Sequence, residues 1–223
     1  MPTERLMIFA KAPAPGRVKT RLALPPEAAA ALHAAFVRDV VARHSWPGRR
    51  VTVWRTGDLD HPLWQELVDA HGVRLAEQPD GDLGERMATA FAAEGAEDDP
   101  VVIVGTDSPT LPPTHVDRAF AALAKRDAVI GPACDGGYVL LGLRGAATTD
   151  RSIFPKGLAW GTDAVLPATL AALEARGDFA VLEPWYDVDR PADLIWMRRH
   201  LATLEGPQPT HSVEVLDALE TAR

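Results

Sequence analysis

Apolar residues along the chain follow two alternating periods. Short runs of β-branched and other apolar residues, such as VVIVG at 101–105, alternate with longer segments in which apolar residues recur at helical spacing. The clearest helical segment is 27–44, where Leu32, Phe36 and Val40 recur on one face after a Pro-Pro start. The chain is therefore predicted to combine strands and helices in alternation.

The pattern defines six strands and six helices before residue 205. The predicted strands are RLMIF, RVTVW, VRLAE, VVIVG, AVIGP and YVLLGL. The predicted helices span 27–44, 62–71, 83–94, 113–125, 162–176 and 191–204. Such alternation is typical of a mostly parallel sheet covered by helices on both faces. We expect an α/β fold, a three-layer α/β/α sandwich.

Length and composition favour a single core. A chain of 223 residues that is 47% hydrophobic can bury one sizeable core. The stretch GPQPTHS reads as a linker, and 213–223 as a short helix that either docks or frays. We expect one domain at 1–205, followed by a linker and helical tail at 206–223.

Charge and cysteine content narrow the classes of partner. A formal net charge of −8 disfavours a nucleic-acid or anionic-membrane partner, because both surfaces repel an acidic protein. The single cysteine, Cys134, excludes an internal disulfide framework and a cysteine-based structural zinc site. No apolar run reaches membrane-spanning length, and a signal-peptide pattern is missing. We expect a cytoplasmic protein without membrane insertion.

A basic loop follows the first predicted strand. FAKAPAPGRVKTRL contains Lys11, Arg17, Lys19 and Arg21 among prolines and a glycine, so it is too proline-rich for a helix. Lys19 and Arg21 alternate, as if both could turn toward one anion such as the diphosphate of a nucleotide. The alternative is a solvated basic loop.

Aspartates follow two later strands or extended segments. Asp107 in GTDSPTLPP suits a hard divalent cation that carries phosphate oxygens, or else belongs to a turn. Asp187 and Asp189 in PWYDVDRPADL lie two apart, so both project to the same side of an extended chain. Their like charges need compensation, although Asp189 could instead cap the helix that begins at Pro191.

These motifs together resemble a known family. FAKAPAPGRVKTRL, GTDSPTLP, DGGYVLLGL and DVDRPADL, in this order, resemble bacterial nucleotide-diphospho-sugar transferase-like proteins of the arsenosugar-biosynthesis glycosyltransferase type. More distantly they are similar to phospholactate guanylyltransferase and molybdenum cofactor guanylyltransferase. The resemblance covers about 6–204. It implies a GT-A-like, Rossmann-like nucleotide-diphospho-sugar transferase fold with a nucleotide over its N-terminal half.

The resemblance also implies roles for individual residues. Lys19, Arg21 and Asp107 are the expected catalytic residues, with Lys19 and Arg21 on phosphates. Asp107, Asp187 and Asp189 are the expected ligands of Mg²⁺ or Mn²⁺. The expected nucleotide-binding residues are Ala10, Lys11, Gly16, Arg17, Lys19, Arg21, Gln78, Gly81, Gly84 and Thr106. Gln78 could equally be an ordinary loop amide.

A third group of residues is expected to hold the acceptor or the sugar. Its members are Asp135, Gly136, Gly137, Gly161 and Thr162. The glycines allow close backbone approach, although a tight turn between strands explains them nearly as well. Thr162 has the plainer role of a helix cap.

We therefore expect a metal-dependent transferase that uses an activated nucleotide donor. A glycosyltransferase that moves a sugar from a nucleotide diphosphate sugar to a small-molecule acceptor comes first. A nucleotidyltransferase that joins a nucleoside triphosphate to a phosphorylated small molecule and releases pyrophosphate comes second. The third option is a nucleotide-binding protein without turnover. A homodimer is compatible with helices of this kind.

Overall fold

A computed structural model of the chain describes residues 3–95, 99–204 and 206–221. Within them the strands are β1 (Glu4–Lys11), β2 (Arg49–Thr56), β3 (Arg74–Glu77), β4 (Val101–Val104), β5 (Ala128–Pro132), β6 (Tyr138–Leu143) and β7 (Phe179–Val181). The helices are α1 (Pro26–His44), α2 (Pro62–His71), α3 (Leu83–Glu94), α4 (Pro113–Leu123), α5 (Val165–Arg176), α6 (Pro191–Leu201) and α7 (Thr210–Thr221). Short 3-10 turns follow β6 at Gly145–Thr149 and Arg151–Ile153.

The described strands form one sheet in the order β3-β2-β1-β4-β6-β5-β7. All neighbouring strands are parallel except β6, which runs antiparallel to both β4 and β5. The predicted α/β class with a mostly parallel sheet is confirmed. The ends of the parallel strands therefore meet along one edge, which is where open α/β sheets bind ligands.

Two apolar cores lie on opposite faces of the sheet. Leu6 and Ile8 of β1 contribute to the core that also contains residues of α1, α2 and α4. Met7, between them, contributes to the second core with Phe91 of α3 and Leu173 of α5. Because successive side chains of a strand point to opposite faces, the central strands read as continuous apolar runs. The helices on both faces give the predicted three layers.

The last helix docks on the first. Leu216 of α7 belongs to a third apolar cluster, together with Phe36 of α1 and Val188. The Asp39 carboxylate accepts hydrogen bonds from the backbone N–H groups of His211, at 3.1 Å, and Ser212, at 2.7 Å. These N–H groups have no partner inside α7, so an aspartate on another helix caps it.

Several boundaries differ from the sequence prediction. The last helix begins at Thr210 rather than at 213, because its capping group is supplied from α1. The predicted helices ending at 125 and 204 stop at Leu123 and Leu201, and β7 was not predicted. The division into a domain at 1–205 and a tail at 206–223 stays a prediction. Residues 1, 205 and 223, which bound those two segments, lie outside the described part.

Among the described residues, none of the helices is both long enough and apolar enough to cross a membrane.

Candidate functional site

Three adjoining cavities line the edge of the sheet where β1 and β4 end. The basic cavity, about 350 Å³, is lined by Lys11, Arg17 and Lys19. The middle cavity is about 220 Å³, and the acidic cavity is about 540 Å³. Asp189 lines all three, and Asp107 lines the basic and middle ones. The cavities therefore form one cleft with these two aspartates at its centre.

The Lys19 ammonium joins the two aspartates. Its Nζ lies 2.5 Å from Asp107 Oδ1 and 2.9 Å from Asp189 Oδ1. It also donates to the carbonyl oxygen of Val188 at 2.7 Å, and only 3% of the lysine side chain is exposed. The backbone of Lys19 has a φ of +48°, which is uncommon for a residue other than glycine. This turn directs the side chain inward, between the carboxylates.

Backbone contacts hold the three motifs together. The Val188 N–H donates to the carbonyl oxygen of Asp107 at 2.8 Å, and Val188 is fully buried. The segment that carries Asp187 and Asp189 is thus bonded both to the loop after β4 and to the loop after β1. The structure brings together the three sequence motifs that were singled out for phosphate and metal chemistry.

Charge interactions shift the pKa values of these groups. Burial lowers the pKa of the Lys19 ammonium, but the two carboxylates raise it by more, so it lies above its ordinary value. Removal from bulk water raises the pKa of Asp107, but the Lys19 charge and hydrogen bond lower it by more, so it lies below its ordinary value. Burial, followed by the charge of Asp135, raises the pKa of Asp187 to about 6. Burial and the neighbouring carboxylates therefore disfavour the ionised form of Asp187.

The basic cavity has side chains that are fixed by backbone carbonyl groups. The Lys11 ammonium donates to the carbonyl oxygen of Arg17 at 3.0 Å, which braces the loop. Buried His33 of α1 contacts the carbonyl oxygen of Lys11 through Nε2 at 2.9 Å. Because burial lowers the pKa of His33, the ring is neutral at neutral pH, and Nε2 carries the proton it donates. The Gln78 amide nitrogen donates to the carbonyl oxygen of Trp54 at 2.8 Å.

Most of the expected nucleotide-binding residues line the basic cavity. They are Ala10, Lys11, Arg17, Lys19, Gln78 and Thr106. Arg21 instead lines the acidic cavity, because the turn at Lys19 breaks the alternation that the sequence suggested. Gly16 has a φ of +71° and shapes the loop without lining any of the three cavities.

Two further glycines have packing roles in the structure. A Cβ on Gly81 would lie 2.4 Å from Oε2 of Glu85, which forms a capping box with Asp82 at the start of α3. A Cβ on Gly84 would lie 2.3 Å from the indole ring of Trp160. Neither glycine lines a cavity of the cleft. Their roles in nucleotide binding stay a prediction.

The residues expected to hold acceptor or sugar border the other two cavities. Asp135, Gly161 and Thr162 line both, and Gly137 lines the middle one. Asp135 Oδ1 accepts from the Gly137 N–H at 2.9 Å, which closes the turn between β5 and β6.

Gly136 and Thr162 fix this side of the cleft in different ways. Gly136 has a φ of +96°, and its carbonyl oxygen accepts from the Leu166 N–H at 2.9 Å. Thr162 Oγ1 donates to the carbonyl oxygen of Ala159 at 2.7 Å. The predicted start of α5 at 162 is wrong, since the N-cap is Ala164 and Thr162 caps no helix.

The Asp189 carboxylate does not cap α6. The N-cap of α6 is Arg190, and the Asp193 carboxylate accepts from the N–H groups of Asp189, at 3.0 Å, and Arg190, at 2.7 Å. The alternative interpretation of Asp189 as the helix cap is therefore wrong. Its carboxylate stays in the cleft, against Lys19.

The donor set suits a metal ion that arrives with phosphate. In the described part of the chain, no group of three or more His, Cys, Asp or Glu side chains is arranged to hold a metal ion. Asp107 and Asp189, however, meet at one point, and Mg²⁺ commonly uses one or two carboxylates together with substrate phosphates. Asp107 and Asp189 therefore fit Mg²⁺ or Mn²⁺ bound together with a substrate phosphate. Asp187 lines the middle and acidic cavities together with Asp189.

The cleft residues that sequence reasoning missed include Leu83 and His33. Leu83, at the start of α3, is 42% exposed and lines both the basic and the middle cavity. His33 lies on the buried face of α1 among apolar residues. The sequence pattern of that helix does not show that its ring contacts the carbonyl oxygen of Lys11.

The chain is similar to a family of bacterial proteins. The family described as "Uncharacterized protein conserved in bacteria (DUF2064)" matches residues 36–162. No curated protein matches the chain.

Solved structures share the fold. A protein from Desulfovibrio desulfuricans G20, described as a candidate nucleotide-diphospho-sugar transferase, is 31% identical over 98% of this chain and 97% of its own, with a TM-score of 0.81. A cytidylyltransferase from Leptospira borgpetersenii serovar Hardjo-bovis is 14% identical over 99% of this chain and 96% of its own, with a TM-score of 0.57. CMP:2-keto-3-deoxy-manno-octonic acid synthetase complexed with CTP is 14% identical over 90% of this chain and 99% of its own, with a TM-score of 0.58. The last two show the fold alone.

Proposed function

The chain belongs to the bacterial family DUF2064, and we propose that it is a metal-dependent transferase that uses an activated nucleotide donor. The observation that carries this proposal is the meeting of Asp107, Asp189 and Lys19 in the basic cavity, at the point where Asp189 also lines the acidic cavity. A donor whose phosphates lie in the basic cavity would place its reacting atom at that point.

Each side of the cleft has a chemical role in this proposal. Lys11 and Arg17 attract the phosphates of the donor, while Asp107 and Asp189 hold the accompanying Mg²⁺ or Mn²⁺. When bound, the metal ion stabilises the negative charge that grows on the departing phosphate. Cations held in a preformed cleft stabilise that charge more in the transition state than in the ground state.

Glycosyl transfer is the reaction that we favour. The relative from Desulfovibrio desulfuricans G20 matches nearly the whole of both chains and is described as a candidate nucleotide-diphospho-sugar transferase. Five carboxylates line the acidic cavity: Asp135, Asp163, Asp187, Asp189 and Asp193. Such a surface suits an uncharged acceptor with hydroxyl groups better than a phosphorylated one. Asp135 or Asp163 would serve as the base that takes the hydroxyl proton.

Nucleotidyl transfer is the second candidate, because Arg21 and Arg190 also line the acidic cavity. These guanidinium groups could bind the phosphate of a phosphorylated acceptor. In that case the departing group would be pyrophosphate instead of a nucleoside diphosphate.

Product analysis separates the two reactions. The protein would be incubated with UDP-, GDP-, dTDP- and ADP-sugars plus polyol acceptors, and separately with nucleoside triphosphates plus sugar 1-phosphates, each with Mg²⁺ or Mn²⁺. We expect a nucleoside diphosphate to appear by ³¹P NMR in the first set, and not with the Asp189→Asn variant. Release of pyrophosphate in the second set, without release of a nucleoside diphosphate in the first, would support nucleotidyl transfer. Binding of nucleotide without any product would refute both and support a non-catalytic protein.

A further inference from the structure

Lys19 uses its whole hydrogen-bonding capacity within the protein. A lysine ammonium has three N–H donors, and here they meet Val188 O, Asp189 Oδ1 and Asp107 Oδ1 at 2.5–2.9 Å. The ammonium also lies 5.2 Å from the centre of the Phe36 ring, and the side chain is 3% exposed. Lys19 is thus a built-in counterion of the carboxylates, with no N–H group left for a phosphate.

This arrangement conflicts with metal binding at the same carboxylates. The ammonium bonds one oxygen of Asp107 and one of Asp189, at the point where a divalent cation would coordinate both. Two cations cannot share that point, because their repulsion would oppose the attraction of the carboxylates. A metal ion can use the pair only after Lys19 has moved.

We infer that Lys19 excludes divalent cations from the nucleotide-free protein and leaves the carboxylates only when a metal–nucleotide complex binds. The inference rests on the proposed function and adds an order of binding to it. Lys19 lines the basic cavity together with Lys11 and Arg17, so a change in its side-chain torsions would bring it toward the phosphates. Metal and nucleotide then bind together, and metal alone binds weakly. In this role Lys19 is a positioning residue for the metal site.

The decisive experiment measures Mn²⁺ binding without nucleotide, by electron paramagnetic resonance of the free ion. The test variant is Lys19→Met, which keeps a long apolar stem and removes the charge. The matched control is Lys125→Met, which removes the same charge from an exposed position just beyond α4. We expect Lys19→Met to bind Mn²⁺ at least tenfold more tightly than the wild type, which is about 1.4 kcal/mol. The control should bind it as the wild type does.

A second measurement covers the case in which Lys19→Met does not fold. Without nucleotide, the wild type should bind Mn²⁺ no more tightly than Asp107→Asn does, because Lys19 already occupies the carboxylate pair. Tighter binding by the wild type than by Asp107→Asn would overturn the inference. So would a folded Lys19→Met without any gain in Mn²⁺ affinity.

The same preparations distinguish failure of this inference from failure of the proposed function. Each would be tested for a rise in melting temperature with GDP-mannose, UDP-glucose, CTP and GTP in the presence of Mn²⁺. If the wild type binds one of them but Lys19→Met shows no gain in nucleotide-free Mn²⁺ binding, only the inference is overturned. If none binds while Lys19→Met gains Mn²⁺ affinity, the proposed function is refuted and the exclusion of metal by Lys19 is supported.

Discussion

Replacing Gly136 with alanine should impair the middle and acidic cavities of the cleft without affecting nucleotide binding in the basic cavity. An added Cβ would lie 2.6 Å from Asp163 Cα and 2.8 Å from Asp163 Cβ. Carbon atoms in favourable contact are about 3.5–4.0 Å apart, so the Gly136 turn and the loop at 161–164 must separate by roughly 1 Å. Both segments border the middle and acidic cavities, and neither contributes to the basic cavity.

The expected effects of Gly136→Ala follow from that displacement. Turnover should fall about 100-fold, since a misplacement of about 1 Å near the reacting groups has effects of that size. Nucleotide affinity should stay within about twofold of wild type, because the basic cavity is unchanged. The free energy of unfolding should fall by about 2–5 kcal/mol, the sum of about 1–2 for the left-handed backbone and about 1–3 for overpacking.

Gly157→Ala is the matched control for this experiment. Gly157 has a φ of +73°, but a Cβ there would meet no described atom within 4 Å. Gly157→Ala should lower the free energy of unfolding by only about 1–2 kcal/mol, the cost of a left-handed backbone at alanine. Its turnover should equal that of the wild type. Isothermal titration with the donor, product assays and urea unfolding measure the three quantities. Equal turnover in the two variants, or a parallel loss of nucleotide affinity in Gly136→Ala, would show that the two parts of the cleft are not affected separately.

Two further predictions concern stability. Asp39→Ala should lower the free energy of unfolding by about 2–4 kcal/mol, because it leaves the N–H groups of His211 and Ser212 and the Ser212 hydroxyl without their acceptor. Urea unfolding and faster proteolysis within 206–221 would show it, and an unchanged proteolysis pattern would contradict it. Burial holds the pKa of His44 at about 3, so the unfolded state takes up a proton first as the pH falls below about 6.5. The stability of the wild type should therefore decline toward acid pH more steeply than that of His44→Leu, by up to about 1.4 kcal/mol per pH unit, and parallel urea-unfolding curves would contradict this.

The secondary structure could be predicted well wherever local patterns decide it. VVIVG marks β4 because that strand is buried on both faces, and the Pro62 and Pro113 starts mark α2 and α4. In contrast, β7 contains only three residues, FAV, too few to show a period. The antiparallel placement of β6 between β4 and β5 depends on long-range pairing that a local pattern does not contain.

The location of the site could be predicted more reliably than its contacts. Asp107 follows β4, and the basic loop follows β1, so topology alone places both at the same edge of the sheet. The partners of Lys19 could not be predicted, because its direction depends on a left-handed backbone turn at a residue that is not glycine. The same turn places Arg21 on a different cavity. His33 was missed because a single polar contact leaves no trace in the helical pattern.

We propose that this cleft binds a nucleotide donor through Asp107 and a divalent cation. The most direct test is thermal unfolding of the wild type and Asp107→Asn with nucleotide sugars and nucleoside triphosphates, with and without Mg²⁺ or Mn²⁺. At a hundred times its dissociation constant, one donor with metal should stabilise the wild type by about 2.7 kcal/mol, and should stabilise Asp107→Asn far less. Absence of metal-dependent stabilisation by every nucleotide, or equal stabilisation of the variant, would contradict a metal-dependent donor site at Asp107.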